Sequence, residues 1–196
     1  MKQSVATTID QERVAQAARQ LLEAIGEDAD RPGLRDTPRR IAEAYAELFA
    51  GLYQDPLAVL GSGFEESHKE MVILKNIPFY SLCEHHLLPF HGRAHVGYVP
   101  EGRIAGASKI ARVVDVFARR PQLQERLTSQ VADDLQRQLD PLGVGVVIEA
   151  EHTCMSVRGA RAEGAHTVTA RLLGQLRENP ATRAEFLALT RERGVR

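Results

Sequence analysis

The chain has 196 residues, enough for one domain with a sizeable core and an appendage. Apolar residues make up 43% and charged residues 26%, as in a folded globular protein, and a net charge of −1 excludes a global pull toward nucleic acid or anionic membrane. The opening MKQSVATTIDQERVAQ has no apolar signal core, and no run approaches the ~18 apolar residues of a membrane span, so the expectation is a cytoplasmic protein with neither nucleic acid nor membrane as partner.

In chain order, residues 1–8 read as a loose tail. From Asp10 to about Gly26, Val14, Ala17, Leu21, Leu22 and Ile25 recur at helical spacing. EDADRPGLRDTP is a loop, and Thr37 before Pro38 starts a second helix that runs to about Phe49. EMVILKNIPF and GRAHVGYVP have the β-branched content and alternation of strands. SKIARVVDVFARR is helical, with Ile110, Val113, Val114 and Phe117 on one stripe, and PQLQERLTSQVADDLQRQL is a further helix opened by Pro121. VGVVIEAEHTCMSV and HTVTARLLG are strands, and TRAEFLAL is a closing helix. This order predicts an α+β fold: a helical region over 1–60, then a domain over 61–196 whose antiparallel sheet carries its helices on one face. Such a sheet has edges that must be covered or paired, which makes a homo-oligomer an expectation.

The chemistry concentrates in SLCEHHLLPF. With only two cysteines and seven histidines in the chain, one cysteine and two histidines fall within Cys83–His86. Cys83 and His86 are three apart and can face one point, and thiolate with imidazole is the usual zinc pair. The second cysteine lies in EHTCMSVRG, where a strand would turn His152 and Cys154 to the same face. Cys83, His86 and Cys154 then make a three-ligand set with a fourth position left for water, and His85 and His152 flank it as acid–base candidates. On spacing alone, two buried cysteines with incidental histidines explain the pattern as well as a metal does. His68, His91, His95 and His166 have no such company and read as surface or core residues.

A second cluster is cationic. Ser108, Lys109 and Arg112 open a helix, where anions are favoured, and Arg158 follows Cys154 by four residues. Zinc at one end and these cations at the other suit a polyphosphate, although any one of them alone is ordinarily a solvated charge. Glu125 in QERL is by itself a surface residue. In a nucleotide pocket its carboxylate can accept from both N1–H and the 2-amino group of guanine, donors that adenine does not offer as a pair.

FYSLCEHHLLPFHGRAHVGYVP, SKIARVVDVFARRPQLQERLT and VVIEAEHTCMSVRG resemble, in order, signatures of the type I GTP cyclohydrolases, and GLRDTPRRIAEAY is similar to that family's N-terminal helical motif. The resemblance runs from about Gly33 to Leu189. It implies the tunnelling fold, assembled as a toroidal homodecamer with active sites between subunits. It implies one zinc ion per subunit on Cys83, His86 and Cys154, with His85 and His152 as the catalytic histidines. Gln124 and Glu125 match positions that hold guanine, and Ser108 one near the ribose. Lys109, Arg112, Arg158 and Arg40 match triphosphate contacts. The implied reaction takes GTP and water to 7,8-dihydroneopterin triphosphate and formate, the entry to folate and related pterins. Glu43, His91, Ala107, His166 and Val168 depart from the pattern, none within the metal or acid–base set. Two rivals fit less well: other tunnelling-fold enzymes share the guanine-gripping glutamate without this metal and histidine set. A zinc-stabilised module without activity would give Glu125, Lys109, Arg112 and Arg158 no purpose.

Overall fold

The structure is a computed structural model and describes residues 8–191. All but the last residue of the expected loose tail lies outside that range. The chain divides into two compact units, one ending at Gln54 and one beginning at Asp55.

In the first unit, α1 (Gln11–Ala24) packs on α2 (Thr37–Leu48), with Ala18 and Ala42 buried. The Asp10 carboxylate accepts from the Arg13 N–H at 3.0 Å and caps α1. Asp36, not Thr37, occupies the cap position of α2, so Pro38 falls in its first turn as the sequence predicts. A short 3-10 turn, Ala50–Tyr53, ends the unit.

The second unit opens with α3 (Pro56–Leu60), which packs on α4 (Ala107–Ala118) and α5 (Gln124–Leu139). Two tiny strands, β1 (Phe64–Glu65) and β4 (Arg103–Ile104), pair with each other, a ribbon the sequence reading missed because two residues carry no periodicity. The main sheet contains β2 (Val72–Cys83), β3 (Pro89–Val99), β5 (Pro121–Gln122), β6 (Gly143–His152) and β7 (His166–Gly174), in the order β5-β2-β3-β6-β7. The four long strands are antiparallel neighbours, while β5 adds two residues in parallel beside Leu82 and Cys83.

The expected helix opened by Pro121 is corrected here. Proline lacks an N–H and suits a helix start, but it suits a sheet edge equally well. Residues 121–122 are taken by the edge of β2, and the helix begins only at Gln124. The expected helix-on-one-face arrangement also needs amending. α4 and α5 cover one face, closing a core around Phe79, Phe90, Val96, Tyr98, Val113, Leu127, Val131 and Ile148. On the other face, α8 (Pro180–Thr190) seats Phe186 with Leu176 of the short α7 (Gln175–Glu178) over one end of the sheet. The seat exists because β3 and β6 carry glycine there: a Cβ on Gly97 or Gly145 would lie 2.8 Å from the Phe186 ring.

Candidate metal centre and active site

β2 delivers Cys83 to the end of the sheet, and the chain reverses at once. Cys83 N–H donates to Leu88 O at 2.9 Å and Leu87 N–H to Cys83 O at 2.8 Å, with Leu87 in the left-handed region at φ +52°. This tight reversal turns the Cys83 thiol inward and brings His86 round beside it, Sγ to Nδ1 at 3.9 Å. His85 points to solvent, its ring edge-on to that of His86, and it makes no hydrogen bond among the described residues.

Cys154 reaches the same point by a different route from the one the sequence predicts. The strand does not continue through EHTC. β6 stops at His152, and Thr153–Ser156 is one helical turn, α6, anchored by Thr153 Oγ1 donating to Pro89 O at 2.6 Å. The alternation argument that placed His152 and Cys154 on one strand face therefore fails, yet the ligand set stands. One ligand atom each from Cys83, His86 and Cys154 lies within 4.8 Å of the others, and no other such trio occurs among the described residues. Four-coordinate zinc wants sulfur–sulfur and sulfur–nitrogen separations of about 3.8 and 3.5 Å, given bonds of ~2.3 and ~2.0 Å. Two thiols and one imidazole at this spacing fit the ion. Burial, and next the Cys83 sulfur alongside, push the Cys154 thiol above its ordinary pKa, so a cation would have to supply the drive to thiolate.

His152 is held from two sides. Its ring stacks on Phe90 at 4.5 Å and 4°, and Nε2 lies 2.8 Å from Gln124 Oε1. Gln124 is only 1% exposed. Its amide nitrogen donates to Thr167 O at 2.8 Å and Ile148 O at 3.0 Å, and lies 3.2 Å from Thr169 Oγ1. Carbonyls only accept, so the amide cannot be flipped, and its oxygen must face the histidine. His152 then carries its proton on Nε2 and keeps Nδ1 as the free base. Burial lowers its pKa and favours the neutral ring, opposed in part by the Glu125 carboxylate. The sequence reading put Gln124 on the guanine ring. The structure places its side chain behind His152, fully engaged within the chain.

Cys83, His85, His86, Glu125, His152 and Cys154 line one cleft of about 320 Å³. Glu125 is exposed in the first turn of α5. Arg158 joins the metal set, its Nη1 3.1 Å from His86 Nε2. A guanidinium only donates, so Nε2 accepts, and the His86 proton sits on Nδ1, toward the sulfur. The other residues of the cationic cluster lie on α4. Ser81 Oγ donates to Ala118 O at 2.7 Å, which ties the C-terminal end of α4 to the cleft side of the sheet. Ser108 and Lys109 are exposed in the first turn of that helix, which at 1.5 Å per residue is about 18 Å long, and Arg112 is exposed at its middle. Arg40 lies on α2 in the first unit, Nη2 3.7 Å from the Asp36 carboxylate.

A family profile described as GTP cyclohydrolase I matches residues 14–191. The chain belongs to the GTP cyclohydrolase I family. Proteins called GTP cyclohydrolase 1 are 61% identical in Mycolicibacterium vanbaalenii and 60% identical in Mycobacterium ulcerans, each over 92% of this chain and 90% of that protein. The Mycobacterium leprae protein of the same name is 59% identical over 92% of this chain and 89% of its own length. Among solved structures, the archaeosine synthase QueF-Like in the apo form overlaps 53% of this chain and 93% of its own, at 19% identity and a TM-score of 0.45, too slight a likeness to bear on the assignment.

Two features of the cleft's surroundings escaped the sequence reading. Phe90, the platform under His152, looks like any core aromatic of a strand. The Glu84–Arg126 ion pair joins residues 42 apart in sequence. Of the departures, Glu43 pairs with Arg39 on the same helix. His91 and His166 line a separate concavity with Arg93, Glu149 and Glu151 on the outer side of the sheet, and His166 Nδ1 is 3.6 Å from Glu149. Val168 is exposed on β7, and Ala107 begins α4.

Proposed function

We propose that the chain hydrolyses GTP at C8 and rearranges it to 7,8-dihydroneopterin triphosphate and formate, the first step of folate and pterin synthesis. One observation carries the reading: a zinc-type Cys₂His set, two further histidines and the Glu125 carboxylate share one cleft in a member of this family. A zinc ion on Cys83, His86 and Cys154 supplies, when bound, a Lewis acid that brings the pKa of water to ~7 and so provides hydroxide near neutral pH.

The protein's own groups do the rest. Glu125 accepts from N1–H and the 2-amino group and fixes the purine edge. His85, exposed at the rim, exchanges a proton with N7, since C8 is electrophilic only when N7 is protonated. Addition of water at C8 breaks C8–N9 and leaves a formamide on N7. A second water cleaves that formamide and releases formate. His152, with Nδ1 as its free base, moves the proton for ribose opening, and an Amadori rearrangement with ring closure gives the pterin. If His86 held the metal through Nδ1, its ring proton would lie on Nε2, which could then no longer accept from Arg158. The guanidinium is then free for the triphosphate, whose remote binding energy positions the ring.

The same reading makes Ser108, Lys109, Arg112 and Arg40 ribose and phosphate contacts. The placement of Ser108 and Lys109 in the first turn of α4, away from the end that Ser81 ties to the cleft side of the sheet, supports a site completed by a neighbouring copy in a homodecamer built on the tunnelling fold. Among the described residues no helix is long and apolar enough to cross a membrane, and we place the enzyme in the cytoplasm, without nucleic acid as a partner. The test is to incubate zinc-loaded protein with GTP and follow formate and oxidised-pterin fluorescence. Wild type should give both. Cys154→Ala should lose bound zinc and product together, and His85→Ala should keep zinc and lose product. Zinc bound with no formate from GTP sinks the reading.

A further inference from the structure

His85 is the acid–base candidate that makes no hydrogen bond among the described residues, its one ring contact being edge-on to His86. An acid or base in a working site is ordinarily oriented by a third group. Its position is therefore set by the backbone of the Cys83–His86 reversal, and that reversal is held from outside at the residue between the two. Glu84 N–H donates to Gln122 O at 2.9 Å, and the Glu84 carboxylate takes both ends of the Arg126 guanidinium, Nη2 to Oε1 at 3.0 Å and Nη1 to Oε2. Both partners lie on the short run that leads from β5 into α5 and also carries Gln124, which holds His152, and Glu125.

Resting on the function proposed above, we infer that Arg126 is a positioning residue: its two-pronged pair with Glu84 fixes the reversal, and hence His85, relative to the histidine and carboxylate carried or held by the start of α5. Two features favour this over a passive surface pair. The fork geometry fixes orientation as well as distance, which one ammonium contact would not. The pair also commits both oxygens of the carboxylate next to the metal ligand Cys83, so Glu84 is not offered as a further ligand and the site stays open at its fourth position.

The experiment combines steady-state kinetics on GTP with hydrogen exchange, using zinc-loaded full-length protein. Arg126→Ala and Glu84→Ala should each lower kcat by about 10- to 100-fold, the scale of a misplaced reacting group, while KM for GTP moves less. The double variant should be no worse than either single one, because each side chain acts through the other. Arg126→Lys, which keeps the charge and loses the fork, should recover only part of kcat. In the same variants the backbone amides of the 83–88 peptide should exchange faster, with zinc content and thermal midpoint unchanged. Additive single effects, an unchanged kcat, or unchanged exchange in that peptide would overturn the inference. If wild type makes no formate from GTP, the function falls, and the exchange measurement still decides whether the pair fixes the reversal.

Discussion

The two ends of the candidate site are built in opposite ways. At the metal end, residues from three separate stretches, Cys83–His86, Gln124–Glu125 and His152–Cys154, meet in one cleft within one chain. At the anion end Arg158 lies beside His86, while Ser108 and Lys109 stand at the far end of α4 and Arg112 at its middle. The first end needs ångström-level placement of thiols and imidazoles, and a single sheet with its flanking helix supplies it. The second needs only positive charge on a flexible polyphosphate, a demand that side chains from another copy can meet.

Complementation tests that contrast most severely. His85→Ala chains and Lys109→Ala chains should each be nearly inactive, by roughly 10²-fold or more for loss of an acid–base group. Co-expressed in one cell and purified as mixed oligomers, they should regain a clear fraction of wild-type formate production, because some sites then combine an intact His85 from one chain with an intact Lys109 from another. A site contained in one chain predicts no recovery on mixing.

A smaller effect separates the ways in which the two proposed acid–base histidines are held. His152 has a platform and a fixed hydrogen-bond partner, whereas His85 depends on its backbone. Gln124→Leu keeps the volume but strips donors from Ile148 O and Thr167 O and leaves His152 Nε2 without its acceptor. Leaving such buried groups unpaired costs about 1–3 kcal/mol each. The thermal midpoint should fall, and kcat should drop by about 10- to 100-fold with zinc still bound. A Gln124→Leu protein with wild-type kcat would show that the tautomer of His152 is fixed by something else.

This division also explains what could be read in the sequence. The long elements were legible because each has a strong period: the Ile110, Val113, Val114 and Phe117 stripe of α4, and the alternation of β3. The ligand trio was legible because cysteine and histidine are scarce, so their clustering stands out. What failed was local geometry with no compositional mark. Nothing in EHTCMSV announces that the strand ends at His152, since the turn is held by a Thr153 hydroxyl reaching Pro89, 64 residues away in sequence. Pro121 carries the same preference for a helix start as for a sheet edge, and only the vacant edge of β2 decides between them. Gln124 matches a guanine-holding position by resemblance, and no spacing or periodicity announces that its side chain turns to His152 and to the carbonyls of Ile148 and Thr167.

A polar group buried away from the cleft gives the contrasting case to Gln124. Asp134 is 0% exposed on α5, its Oδ1 is 3.4 Å from Arg137, and its Oδ2 has no hydrogen-bond partner among the described residues. Burial is the main cause that raises its pKa, with Arg137 opposing. A carboxyl raised in the fold adds stability below its unfolded pKa of ~3.9 and loses it as pH rises through the folded value. At pH 7 that contribution is gone, and the charge is carried at a cost. Asp134→Asn removes the charge and keeps the shape, so the thermal midpoint at pH 7 should rise by ~2–4 °C. The gain should shrink as pH falls through the raised pKa, and vanish below the usual carboxylate range, where the wild-type group is neutral as well. A midpoint that drops at pH 7 would mean that the Asp134 charge is paired in the assembled protein, which would put a structural anion contact on the α5 side and not only at the cleft.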